Sequence, residues 1–376
     1  MNASLTSVFF LGTGYLLLMF LCALAVERGW LSRRVTRHPA VYTLALGVYA
    51  SAWAVYGSLE LAAESGYGYL TYYLGAAGAF LLAPVLLVPI QRMARTHQLA
   101  SLADLFAFRF RSRWVGTLIT VISLLAVLPL LALQVQTLGD AIQLMTGATS
   151  PALLALALCM LIALFAMIFG ARHGKGPARH DTLLAVIALT SVVKLVAMLA
   201  LGAFALFVVF DGPAELQTWL DGPGQIYQAS VMQPDAAHWR TLLLLFFATA
   251  LLMPHIFHIT FAETLSRHTL LQASWSLPLF LLLMALPVPL LLWAGQRLGS
   301  HEALSAAYLA FGLSDAFWVQ ALAFLAGLAA TSGTLVIIAM SLSGMILNHV
   351  LLVAHPPEAQ PNLYRWLRWL RRALMA

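Results

Sequence analysis

The chain has 376 residues, of which 62% are hydrophobic and 9% charged, with a mean hydropathy of +0.89. Soluble domains carry about 25% charged residues, so this composition excludes a soluble globular protein and implies an all-α polytopic membrane protein. The net charge of +6 suits anionic lipid headgroups and carries no implication of nucleic-acid binding.

Nine apolar runs are long enough to cross about 30 Å of hydrocarbon as helices: roughly 6 to 26, 40 to 61, 69 to 91, 114 to 138, 151 to 170, 182 to 210, 241 to 262, 273 to 295 and 317 to 347. No soluble domain is expected between them. The first run has no Lys or Arg ahead of it and no small-residue cleavage site before Glu27 to Arg37, so it reads as a retained span rather than a signal peptide.

Basic residues cluster in alternate loops. Arg28, Arg33, Arg34 and Arg37 follow the first span, Arg92, Arg95, Arg109, Arg111 and Arg113 the third, and Arg172, Lys175 and Arg179 the fifth. Arg267, Arg365, Arg368, Arg371 and Arg372 continue the series, whereas the opposite loops hold only Arg240 and Arg297 beside Asp140, Asp211, Glu215, Asp221, Asp235, Glu302 and Asp315. Because cytoplasmic loops retain Lys and Arg, the N-terminus is expected outside and the C-terminus in the cytoplasm.

Lys194 is the only Lys or Arg deep in any apolar run. A cation at the centre of a membrane helix costs roughly 2.5 to 3.5 kcal/mol on insertion scales, and marks an ion path, a proton relay or a bound partner. Span two, with Gly47, Ser51, Gly57 and Ser58, and span seven, with Pro254 beside His255, carry the small and helix-breaking residues of interrupted helices. Interruption frees backbone groups, which in transporters form ion and substrate sites near the midplane. Ser51, Trp53, Tyr56, Gln134, His255 and His258 are the candidate solute-binding residues and suggest a polar, amino-acid or aromatic ligand.

Cys22 and Cys159 lie in apolar runs and read as buried free thiols. His173, His180 and Asp181 read as a solvated loop rather than a metal site. Gly170 to Gly176 lacks the spacing and hydroxyl of a phosphate loop. No catalytic constellation is visible, so no enzyme activity, metal or cofactor is expected.

SAWAVYG in span two, ASLADLFAFRFRSR before span four, LPLLALQVQTLGDAI in span four, MPHIFH in span seven and AATSGTLVIIAMSLSGMILNHV in span nine together resemble the sodium:solute symporter family. The resemblance implies the LeuT-like inverted-repeat fold of five plus five helices. LFGARH, SVVKLVAML and MPHIFHITFAE are most similar to the transporter-like membrane half of CbrA-type sensor histidine kinases. That subfamily implies a bacterial inner-membrane protein that takes up or senses amino acids, histidine among them, with a kinase module as fused or associated partner.

Carried over by resemblance, the family's sodium site would take carbonyls from Gly47 and Ala50 and side chains near Ala330, Gly333 and Thr334 of span nine. Here one hydroxyl position is Gly333. On span six, where the family often has Thr-Asp-Val-Ile-Gln, this chain has Thr190, Ser191, Val192, Val193 and Lys194, so Ser191 replaces a carboxylate and Lys194 a glutamine. A fixed ammonium in place of a transported cation implies coupling to protons rather than sodium, with sodium the alternative.

Counted from span two, the first repeat is complete and the second supplies only spans seven, eight and nine, an incomplete version of the fold. Residues 1–355 are expected as the transmembrane domain, and 356–376, containing NLYRWLRWLRRALMA, as a basic amphipathic segment or a linker toward a further span. Two functional readings stay open, a transporter of a small solute and a non-transporting sensory input domain.

Overall fold

In a computed structural model, which describes residues 4–147, 151–170, 178–222, 236–264, 266–298, 311, 313–354 and 363–375, every regular element is helical. The chain is a multi-pass membrane protein. Six helices are unbroken and long enough to span: α1 (Leu5–Glu27), α7 (Arg113–Thr146), α8 (Ala152–Gly170), α9 (Asp181–Val209), α13 (Arg267–Arg297) and α14 (Phe317–Ala354). Two further spans are bent pairs. Pro39–Tyr49 meets Trp53–Leu81 at 71°, and Ala237–Leu252 meets Pro254–Ala262 at 52°. We label the first half of the first pair α2 (Pro39–Tyr49) and the opening part of its second half α3 (residues 53–65), and the halves of the second pair α11 (Ala237–Leu252) and α12 (Pro254–Ala262).

That makes up to eight spans among the described residues, against nine expected from hydropathy. The difference lies in the third run. Gly66, at φ 54°, turns the chain after α3 into α4 (Leu70–Leu81), and a turn at residues 82–86 separates α4 from α5 (Leu87–Thr96). Pro84 sits in that turn; its ring removes an amide donor and clashes with the preceding carbonyl, so the helix is interrupted where hydropathy stays continuous.

Side-chain caps fix several helix starts. Ser4 accepts from Ser7 N at 3.1 Å, Ser101 from Asp104 N at 3.1 Å at the start of α6 (Leu102–Phe110), and Ser266 from Thr269 N at 3.0 Å at the start of α13. Helix ends rich in arginine are tied together on one side, called here the basic face. Arg37 Nε donates to both carboxylate oxygens of Asp181 at 3.0 and 3.2 Å, and Arg95 Nη2 donates to Thr264 O at 2.7 Å. On the opposite side, the Arg297 guanidinium lies 5.0 Å from the Phe210 ring centroid and α10 (Pro213–Leu220) follows α9.

Burial separates interior from peripheral helices. The apolar windows of α13 and α14 are 56% and 50% buried within the protein, that of α7 only 22%. α9 packs against α1, α2 and α14, which carries its polar face into the centre. α15 (Leu363–Met375) lies against α14 with Met375 buried near Gly170 and Met340, while Trp369 is exposed beneath the Arg372 guanidinium at 5.8 Å.

Candidate functional site

The break between α2 and α3 results from three residues that leave the helical register. α2 tightens into a 3₁₀ turn over Gly47–Tyr49, Ala50 adopts φ −74° and ψ 81°, and the chain re-enters a helix at Ala52. A helix end exposes carbonyls and a helix start exposes amides, so the break presents both kinds of group within a few residues.

Each kind meets one side chain. Lys194 Nζ donates to Gly47 O and to Ala50 O, both at 2.7 Å, and the residue is fully buried. Two of its three protons thus satisfy the carbonyl end of α2, where the helix dipole also favours a cation. Gln134 Oε1 accepts from Ala52 N at 3.1 Å and caps the start of the second half. Gln134 Nε2 is buried and has no hydrogen-bond partner among the described residues.

Close helix approach makes these bonds geometrically attainable. A Cβ on Gly47 would stand 2.9 Å from Ser191 Oγ and from the Phe280 ring, closer than real Cβ contacts. Ser191 lies one turn before Lys194 on the same face of α9, and its hydroxyl is buried without a partner among the described residues. A Cβ on Gly333 would stand 2.7 Å from Thr190 Oγ1. Thr334 Oγ1 donates to Ala330 O at 2.9 Å within α14. Lys194, Gly47, Ala50 and Ser191 are therefore brought together, while Ala330, Gly333 and Thr334 adjoin them through Thr190.

Around the break, Ser51 Oγ accepts from Trp53 N at 3.3 Å, and the Trp53 ring lies 4.6 Å from Tyr72 and 5.6 Å from Phe246, centroid to centroid. Tyr72 stacks on Tyr49 at 4.7 Å and donates to Tyr49 O at 2.5 Å. Tyr49, Tyr72 and Phe246 are not among the sequence candidates; the tyrosine-rich run GYGYLTYY is an available signal for Tyr72 alone. Tyr56 faces elsewhere: its hydroxyl donates to Ala323 O at 2.8 Å, against Gly327 of α14, where any Cβ would collide with the phenol.

The second break is simpler. Met253 takes an extended conformation, φ −66° and ψ 128°, and Pro254 opens α12 at the position where its missing amide costs least. His255 is buried there, and its Nδ1 has no partner among the described residues. His258 lies toward the basic face, with Nε2 3.2 Å from Glu263 Oε1 and Nδ1 donating to Ala100 O at 3.3 Å. His255 thus stands at the break, and His258 is engaged outside it.

His173, Lys175 and residues 355–362 lie outside the described residues. Asp181, a member of the loop cluster, is the buried partner of Arg37. Cys22 and Cys159 are free thiols in partly buried positions.

No protein-family model matches the sequence, and neither does any curated protein. Among solved structures, the chain is similar to a Na+-coupled sialic acid symporter in a substrate-bound, outward-open state, at a TM-score of 0.70 and 14% identity over 98% of this chain and 79% of that one. Its fold is that LeuT-like helical membrane fold.

Proposed function

We propose that the chain is the solute-translocating part of a membrane transporter, that its solute is a small polar molecule of the amino-acid class, and that protons rather than sodium drive it. The observation that carries this reading is the pair of 2.7 Å bonds from Lys194 to the carbonyls of Gly47 and Ala50. Those carbonyls are the backbone ligands that the sodium:solute symporter resemblance assigns to a cation. A sodium ion needs several oxygen ligands and gains nothing beside an ammonium, so the lysine takes the ion's role.

An ammonium has three donors and no acceptor. Once deprotonated, Lys194 would keep two N–H donors for the two carbonyls but lose its charge, so both bonds would weaken and the end of α2 would lose the cation that complements its dipole. Proton release is in this way coupled to rearrangement of the broken span, and solute binding beside the break can bias it. The solute would lie between the two breaks, where Gln134 Nε2 and His255 Nδ1 are buried donors or acceptors without partners among the described residues, beside Ser51 and the aromatic ring of Trp53. On this reading the basic face is cytoplasmic.

Uptake of an amino-acid panel into proteoliposomes under imposed pH or sodium gradients tests the proposal. Accumulation should follow the pH gradient and be lost in Lys194→Met. Strict sodium dependence that survives Lys194→Met would overturn it. Saturable solute binding with no uptake under either gradient would favour a receptor in place of a transporter.

A further inference from the structure

On the basic face, away from both breaks, a cleft of about 460 Å³ opens between the junction of α6 with α7 and the end of α14. Its polar lining comes from Arg111, Ser112, Arg113, Asn348 and His349. Among the described residues no carboxylate pairs with either arginine. Asp104, bonded to the lining residue His349, is itself committed: it accepts from His349 Nε2 at 2.7 Å, Ser101 Oγ at 2.9 Å and Ala100 N at 3.1 Å.

The walls are fixed by several independent features. Arg111 holds φ 50° and ψ 37°, a left-handed conformation unusual for a residue with a side chain, and it ends α6 so that α7 begins two residues later. Ser112 makes no side-chain cap on α7, leaving the first-turn amides of a 34-residue helix available beside the cleft. His349 rests on that first turn, because any Cβ on Gly116 would collide with its ring, and Thr117 Oγ1 ties His349 O at 2.6 Å. Val353, which lines the cleft, is 42% exposed, and Trp114, next to Arg113 in the chain, is 82% exposed, the kind of aromatic side chain that marks the headgroup level of a bilayer.

We propose that this cleft binds a phosphate-bearing anion, held by the guanidiniums of Arg111 and Arg113 and by the first-turn amides of α7, with Asn348 as a further donor. Arginine forks match phosphate oxygens two at a time, and helix starts favour anions through both their amides and their dipole. Two sources share that chemistry, an anionic phospholipid headgroup and soluble phosphate. Bound there, the anion would bridge the α6–α7 junction to α14, the two elements that the Asp104–His349 bond already joins.

The test uses the purified full chain in nanodiscs, read by thermal unfolding. One arm compares phosphatidylglycerol with phosphatidylcholine discs; the other adds inorganic phosphate, against chloride at equal ionic strength, to phosphatidylcholine discs. A rise in midpoint confined to the first arm identifies the lipid, and a rise in the second identifies the soluble anion. In either case Arg111→Gln with Arg113→Gln should weaken the apparent affinity by about tenfold or more, while Arg28→Gln with Arg34→Gln, on the same face, should leave it unchanged. If the double variant does not fold, Asn348→Leu, which leaves both arginines in place, should still lower the affinity. No rise in either arm, or an equal rise in the Arg111 and Arg113 variant, overturns the proposal.

Discussion

The two broken spans are built differently. At the first, protein groups close both ends of the gap: Lys194 takes the carbonyls of Gly47 and Ala50, and Gln134 takes the amide of Ala52. At the second, Met253 is extended, Pro254 supplies no amide, and the buried His255 Nδ1 has no partner among the described residues. Unpaired buried polar groups cost about 1 to 3 kcal/mol each. The first break thus closes its backbone groups with the Lys194 ammonium and the Gln134 amide oxygen, leaving side-chain atoms Gln134 Nε2 and Ser191 Oγ unpaired among the described residues, whereas at the second the unpaired atom is His255 Nδ1 beside the break itself.

The most severe way to break this comparison is Lys194→Met. It removes two charge-assisted hydrogen bonds, worth about 1.5 to 3 kcal/mol each, and strands two buried carbonyls. Proton-driven accumulation should fall by roughly tenfold or more, 1.4 kcal/mol being one decade. Lys194→Arg should fail too, since guanidinium does not release its proton. Initial uptake rates at several imposed pH differences, normalised to inserted protein, check both.

Gln134→Leu attacks the other end of the same gap. The uncapped Ala52 amide should cost about 1 kcal/mol of stability, visible as a lower unfolding midpoint. His255→Phe should do the reverse, because replacing an unpaired buried group by an apolar one of similar shape is neutral or stabilising. Its penalty should instead appear in solute affinity, at about fivefold for one lost hydrogen bond of about 1 kcal/mol. Equal loss of stability in both variants would show that the two breaks are satisfied alike.

The smallest effect should come from the Asp104–His349 bond, remote from both breaks. Burial alone would raise the Asp104 pKa, but hydrogen bonds from His349, Ser101 and Ala100 N hold it below the ordinary value. A carboxylate depressed in the folded state stabilises fully above its unfolded value, about 3.9, and loses that stabilisation as pH falls through its folded value. Asp104→Asn should therefore lower stability by no more than about 1 kcal/mol at neutral pH and flatten its dependence on pH below about 4. Unfolding midpoints between neutral and acid pH measure this.

Much of the helical, multi-span architecture was legible because hydropathy acts locally along the chain. Lys194 could be singled out from its apolar neighbours alone, whereas the break at Pro84 was hidden inside a run that stays apolar throughout. Side-chain direction was less legible. Tyr56 lies inside a π-helical turn, Trp53–Gly57, whose wider winding departs from the 3.6-residue period, and it points into α14, while His258 faces Glu263. The Asp104–His349 bond joins residues 245 apart in sequence, a pairing no local pattern encodes.

Gly333 constrains how this sequence can change with time. Any side chain there brings a Cβ to within 2.7 Å of Thr190 Oγ1, while Lys194, one turn further along α9, occupies the carbonyls of Gly47 and Ala50. Exchanging Lys194 alone leaves those carbonyls facing too few oxygens. A larger residue at Gly333 and a different residue at Lys194 would therefore each disturb the contact of α9 with its neighbours, Thr190 on one side and the break after α2 on the other.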